Sequence, residues 1–171
     1  MKRTAILFLL ALGGCDEAGG EIPLPFAVHD DAIGHYCQML VHHHSGPKGQ
    51  IHLSESEEPL WFVQVRDAIA YIKLEERSSD VLAFYVNDMA VAPSWHDTGA
   101  ENWINADDAW FVVGADVVGG MGAPEVVPFA LLEKAESFTA ERGGEVKRLQ
   151  EVATADVLAP IDVNEVTGKE Q

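Results

Sequence analysis

The chain has 171 residues, 47% of them hydrophobic, with 28 Asp and Glu against 11 Lys and Arg and a formal net charge of −17. That composition is globular, neither fibrous nor disordered, and the length is enough to bury a core without a disulfide scaffold. It argues against nucleic-acid binding, because a phosphate backbone recruits clustered Lys and Arg and the basic residues here are few and scattered.

In chain order, the first element is an export signal. Lys2 and Arg3 form a basic start, Ala5 to Leu12 an apolar run too short to span a ~30 Å hydrocarbon core, and Leu12-Gly13-Gly14-Cys15 has the form of a bacterial lipobox. The expected organisation is a signal peptide over 1–14, then a lipid anchor on Cys15 with a Gly, Pro and acid-rich tether over 15–25. Acyl chains on Cys15 would hold the protein to a bilayer at roughly 0.8 kcal/mol per buried methylene. Asp16 hints at retention in the inner membrane. With Cys15 lipidated, Cys37 is the remaining thiol of the two cysteines. In a compartment that favours disulfides, an unpaired thiol is either a small buried hydrophobe or kept for reaction or metal binding.

The body reads as α+β. Strand-like runs fall at 36–41, 50–53, 60–65, 81–86, 109–115, 126–129 and 146–149. One helix is expected after Asp67 as N-cap, with Ala68, Ile69 and Ile72 inward; a second over 131–142 has Leu131, Ala135 and Phe138 inward and Gly143 as its stop. Leu60 to Tyr71 and Val127 to Phe138 both lead an aromatic strand into an amphipathic helix. With Gly46-Pro47 set against Ala123-Pro124, they read as two related halves, 26–75 of ββα type and 76–152 of ββαβ type. In that alignment His44 and Met121 correspond. Residues 153–171 read as an acidic, flexible tail.

Three features carry soft-metal chemistry. On a strand, Cys37 and Met39 would point to one side, and a thiolate beside a thioether selects Cu(I) over harder cations; packing in a core is the alternative for both. Met121 sits between glycines in Gly119-Gly120-Met121-Gly122-Ala123-Pro124, a loop that displays its thioether. That loop lacks the Lys and Ser/Thr of a phosphate loop. Six of seven histidines lie between His29 and His52. Of His42-His43-His44, one or two at most can reach a single ion, and the repeat favours His44. The carboxylates near Pro59 and at Asp107-Asp108 read as solvated loop charges.

The pattern Cys37-x-Met39, His44-x-Gly46-Pro47-x-x-Gln50, Tyr85-Val86-x-Asp88-Met89 and Gly119-Gly120-Met121-Gly122-Ala123-Pro124 resembles the NosL family, lipoproteins accessory to nitrous oxide reductase. The motifs run in order from the lipobox to about residue 150. The resemblance implies two ββαβ-like halves packed together, similar to the organomercurial lyase type, and a Cu(I) carrier on the periplasmic side of a bacterial membrane. It implies as partners nitrous oxide reductase and its membrane-bound maturation machinery. It makes Cys37 and Met121 the principal Cu(I) ligands, with Met39 and a histidine as candidates for the remaining positions and Met89 a weaker candidate; which of His42 to His44 supplies the imidazole stays unassigned, His44 being favoured by the repeat alone. Such a carrier is no enzyme: it would hold Cu(I) under-coordinated and release it by ligand exchange, binding more weakly as protons compete for the sulfur. The rival readings are a thiol enzyme with Cys37 as nucleophile and an adaptor lipoprotein whose soft residues only pack.

Overall fold

The computed structural model describes residues 22–74 and 79–158. The signal peptide, the lipobox and residues 159–171 of the expected tail lie outside them. The fold is α+β, with two antiparallel sheets. In the first, β1 (Gly49–Leu53) lies between β2 (Leu60–Phe62) and β3 (Val81–Val86), and β4 (Ile104–Asn105) adds to β3; α1 (Val65–Lys73) connects β2 to β3. In the second, β5 (Trp110–Val113) lies between β6 (Val127–Phe129) and β7 (Glu145–Lys147), with α2 (Leu132–Arg142) between β6 and β7. Each half is thus a ββαβ unit whose first strand is central.

This topology moves the expected boundary between the halves. Val81–Val86, placed by sequence beyond residue 75 in the second half, pairs with β1 from Gly49↔Val86 to Leu53↔Val81 and completes the first. The turn alignment also shifts: Gly46-Pro47 precedes the first strand of its unit, whereas Ala123-Pro124 precedes the second. The first half therefore has β1 between its turn and its helix, and the second half, among the described residues, has no strand in that position before β6.

The core follows from strand alternation. Along β5, Phe111 and Val113 face a core shared with Ile51, Phe62, Val65, Ile69, Phe84 and Val86 of the first half, while Val112 faces Val127, Phe129 and Ala135 under α2. The second sheet is therefore buried on both sides. On β1, Ile51 and Leu53 enter the shared core, and the polar Gln50 and His52 are buried with them in the strand but outside that core. The N-terminal segment serves these polar groups: Gln50 bonds both the N–H and the carbonyl of Phe26, His52 bonds Gln50, and the Tyr85 hydroxyl donates to the Pro23 carbonyl. Pro23, inside the stretch read as tether, is thus bonded to the first sheet.

Several local expectations change for physical reasons. Residues 36–41 form no strand. Gly34 N–H donates to the Met39 carbonyl at 2.8 Å and Gln38 N–H to the Gly34 carbonyl at 2.9 Å, closing a loop in which Gln38 has φ +57°. α1 begins at Val65 with Gln64 as N-cap, so Asp67 falls in its first turn. Leu131 is the N-cap of α2 and more than half exposed, whereas Ala135 is fully buried and Phe138 packs on Phe129. Gly143 ends α2 at φ +71°, its N–H bonding the Thr139 carbonyl. Beyond Ala153 the chain forms α3 (Thr154–Leu158), whose buried Val157 joins the shared core and whose carbonyl accepts from Arg66 Nε at 3.0 Å.

Candidate metal site

The loop over 34–39 is fastened to the first half beside α1. His35 N–H donates to the Trp61 carbonyl, and its ring packs against Phe62 and Tyr71; burial there lowers the His35 pKa. Cys37, two residues on, is half-buried against Ala32, Val41, Trp61 and Val63. Its Sγ lies 2.6 Å from where a Cβ on Gly34 would stand, so only glycine leaves the thiol this position. Met39 is 42% exposed at the far end of the loop.

The glycine loop comes from the second half. Gly119 N–H donates to the Ala123 carbonyl and Gly122 N–H to the Gly119 carbonyl, and these bonds make the turn; Val118 and Pro124 bridge at its base. The turn then presses into the first half. A Cβ on Gly120 would stand 2.6 Å from His44 Cβ, and one on Gly119 would run into the Glu125 carboxyl. Those contacts explain Gly119 and Gly120, whereas Gly122 has open space around it and answers to the turn, where its φ is +75°. Met121 at the tip is 46% exposed.

Cys37 and Met121 line one cleft of about 400 Å³, with Tyr36, Gln64, Arg66, Asp67, Ala123, Val157 and Leu158 completing its walls. Two soft donors from opposite halves therefore share one opening. Burial raises the Asp67 pKa, and burial together with the Asp67 charge raises that of Tyr36. Among the described residues no group of three or more His, Cys, Asp or Glu gathers at a metal-binding distance.

The other sequence candidates are placed apart from this opening. Met39 shares the Cys37 loop but does not line the cleft, and on its turn it is not side by side with Cys37 as a strand would have it. His44 is half-buried behind the glycine loop, with Nδ1 3.0 Å from the Gly120 carbonyl, and borders a separate depression of about 180 Å³ with His42, Lys48 and His96. It lies next to the Met121 loop through this contact, although the repeat alignment that paired them does not hold. His42 and His43 are exposed on a short 3-10 turn. Met89 packs in the second-half core.

The NosL family profile matches residues 25–157, from just after the tether to α3. The chain belongs to the NosL family. It is 43% identical over 167 residues to the copper-binding lipoprotein NosL of Achromobacter cycloclastes, covering 94% of this chain and 86% of that protein. It is 30% identical over 162 residues to that of Stutzerimonas stutzeri, covering 88% and 78%. Among solved structures it is similar to the copper chaperone NosL from Shewanella denitrificans, with a TM-score of 0.72 at 32% identity over 77% of this chain and 97% of that one. The apo-NosL protein of Achromobacter cycloclastes gives a TM-score of 0.50 at 46% identity, covering 67% and 92%.

Within this NosL fold, sequence reasoning missed Tyr36, Gln64 and Asp67. One signal was available. Gln64 is the single polar residue in Leu60 to Val65, and a polar group within an apolar run, once buried, has to find a partner.

Proposed function

We propose that the chain is a Cu(I) metallochaperone, lipid-anchored through Cys15 on the periplasmic side of a bacterial membrane. Its cargo would go to the membrane-bound maturation machinery of nitrous oxide reductase and so to the copper sites of that enzyme. The observation that carries this reading is the shared cleft of Cys37 and Met121. Thiolate and thioether are soft donors that favour Cu(I), and Cu(I) is stable at low coordination number, which leaves a side open for a receiving ligand. Relatives named as copper-binding lipoproteins and as a copper chaperone support the cargo and the anchor, and the lipobox at Leu12 to Cys15 supports the attachment point. Among the described residues no helix is long and apolar enough to cross a membrane.

Cys37 and Met121 are the principal donors in this reading. Met39, exposed on the Cys37 loop, and His44, against the Met121 loop, are the candidates for a third donor, and neither lines the cleft itself. Partner recognition would use the acidic surface, because a net charge of −17 suits a receiver with a cationic face. The deciding experiment is a Cu(I) titration against a competing chelator under reducing conditions, run on the parent, Cys37→Ser and Met121→Leu. Both variants are expected to bind more weakly; equal affinity in all three rejects the site. A thiol enzyme with Cys37 as its nucleophile would instead keep its activity in Met121→Leu.

A further inference from the structure

Gln64 stands at the start of α1, 1% exposed, yet its side chain makes no capping bond to its own helix. The backbone N–H of Arg66 is met from the other half by Glu125 Oε1 at 2.9 Å. This leaves Gln64 to reach outward: its Oε1 accepts the backbone N–H of Met121 at 2.6 Å, and its Nε2 lies 3.5 Å from Asp67 Oδ2. Its Cγ and Cδ come within 3.0 Å of where a Gly119 Cβ would be, so the glutamine fills the space under the loop as well as bonding its tip.

The division of labour in the loop gives this bond its meaning. Gly119 and Gly122 donate within the turn and determine its shape, whereas the Met121 N–H leaves the turn and crosses to the first half. The turn can form without Gln64, and beside the His44 contact at Gly120 it is the Gln64 bond that ties the residue bearing the thioether itself to the first half. Gln64 also lines that cleft with Cys37 and is held in orientation by Asp67. A hydrogen bond at such a junction acts on geometry, because donors only an ångström out of place bind a metal less well.

We propose that Gln64 is a positioning residue for Cu(I) binding: by holding the Met121 backbone from the opposite half, it aims the thioether of Met121 toward Cys37. The inference rests on the reading of Cys37 and Met121 as donors, and it assigns Gln64 no contact with the metal.

The test is a double-mutant cycle on the full chain in detergent, with Cu(I) affinity measured by chelator competition for the parent, Gln64→Leu, Met121→Leu and the double variant. Gln64→Leu is expected to bind about tenfold more weakly, the scale of one lost hydrogen bond. Because Gln64 acts through Met121, the double variant should bind no more weakly than Met121→Leu. Gln64→Glu, which keeps an acceptor oxygen, should recover most of the affinity. Parent affinity in Gln64→Leu, or its full loss repeated in the Met121→Leu background, overturns the proposal. Parent affinity in Met121→Leu overturns the donor assignment itself, which separates the two failures. Should Gln64→Leu not fold, hydrogen exchange at the Met121 amide of the unaltered chain decides: protection supports the bond, and exchange at the rate of an open loop overturns it.

Discussion

Glu125, in the second half, caps the helix of the first: its Oε1 accepts the backbone N–H of Arg66 at 2.9 Å while also accepting that of Val126 at 2.9 Å. Oε2 is buried with no hydrogen-bond partner among the described residues and faces Gly119, at the base of the Met121 loop. Burial pushes the Glu125 carboxyl up to about 8, against the pull of its two backbone donors and of Lys48, whose own ammonium is pushed down to about 8 by the same surroundings. A neutral carboxyl thus joins the two halves, and its Oε2 sits under the loop that carries the thioether.

The sign of the resulting pH dependence follows by linkage. Between the ordinary carboxyl value of 4.5 and about 8, the folded chain holds a proton on Glu125 that the unfolded chain has lost. Stability is therefore full below that window and declines as pH rises through it, by about 1.4 kcal/mol per pH unit for one proton. Glu125→Gln keeps an acceptor for Arg66 and Val126 and removes the titration. Its melting temperature relative to the parent should rise steadily from pH 5 to pH 8, by roughly 2–4 °C for each kcal/mol. Melting curves at four pH values check this, and a constant gap would mean that Glu125 is ionised in the folded protein throughout.

Gly120→Ala should weaken copper binding as well as strain the fold. The added methyl would stand 2.6 Å from His44 Cβ and 2.9 Å from the Ser45 carbonyl oxygen, neither of which can swing away as the end of a long side chain can. The loop must retreat from the first half, carrying Met121 with it. Overpacking of this kind costs about 1–3 kcal/mol, and the Cu(I) affinity is expected to fall by about tenfold or more. Chelator competition and a melting curve on one sample separate the two effects; parent affinity would show that the loop need not press on His44.

Much of the fold was legible where the sequence code is local. The strand-like runs marked β1, β3, β5 and β7, and Gly143 marked the end of α2, where it takes a positive φ. Where the determining partner is distant, it was not. The start of α1 is set by Glu125, 59 residues from the Arg66 N–H it accepts, and no residue near Asp67 carries that information. The run 36–41 has the composition of a strand, but bonds from Gly34 and Gln38 fold it into a loop. At the site, Cys37 and Met121 were legible because sulfur donors and a glycine loop are chemically distinctive. Gln64 and Asp67 reach the cleft only because α1 begins there.

Phe111 tests whether the halves share one core. It is fully buried on the central strand of the second sheet, in the cluster that holds Ile51, Phe62 and Phe84 of the first half. Phe111→Ala should cost about 3–5 kcal/mol. Denaturant unfolding followed by Trp fluorescence should still show one transition at a lower midpoint. Two separated transitions would mean that the halves fold independently and that the cleft between Cys37 and Met121 is not held by a common core.

His44 separates a donor to metal from a support for the loop. A carbonyl only accepts, so the 3.0 Å contact with Gly120 requires the proton on Nδ1 and leaves the lone pair on Nε2. An imidazole fixed in this way is the usual form of a metal ligand, but the ring borders the depression with His42 and His96 and is absent from the walls of the Cys37 cleft. The geometry therefore favours support. Asn places an amide N–H close to the position of Nδ1 and offers nothing at the position of Nε2. His44→Asn should keep the Cu(I) affinity within about twofold of the parent, and His44→Ala, which leaves the Gly120 carbonyl without its donor, should weaken it by about the worth of one hydrogen bond, roughly fivefold to tenfold. Chelator competition on both variants decides between the roles: equal, large losses in the two would make Nε2 a ligand and would require the loop to rearrange when copper binds.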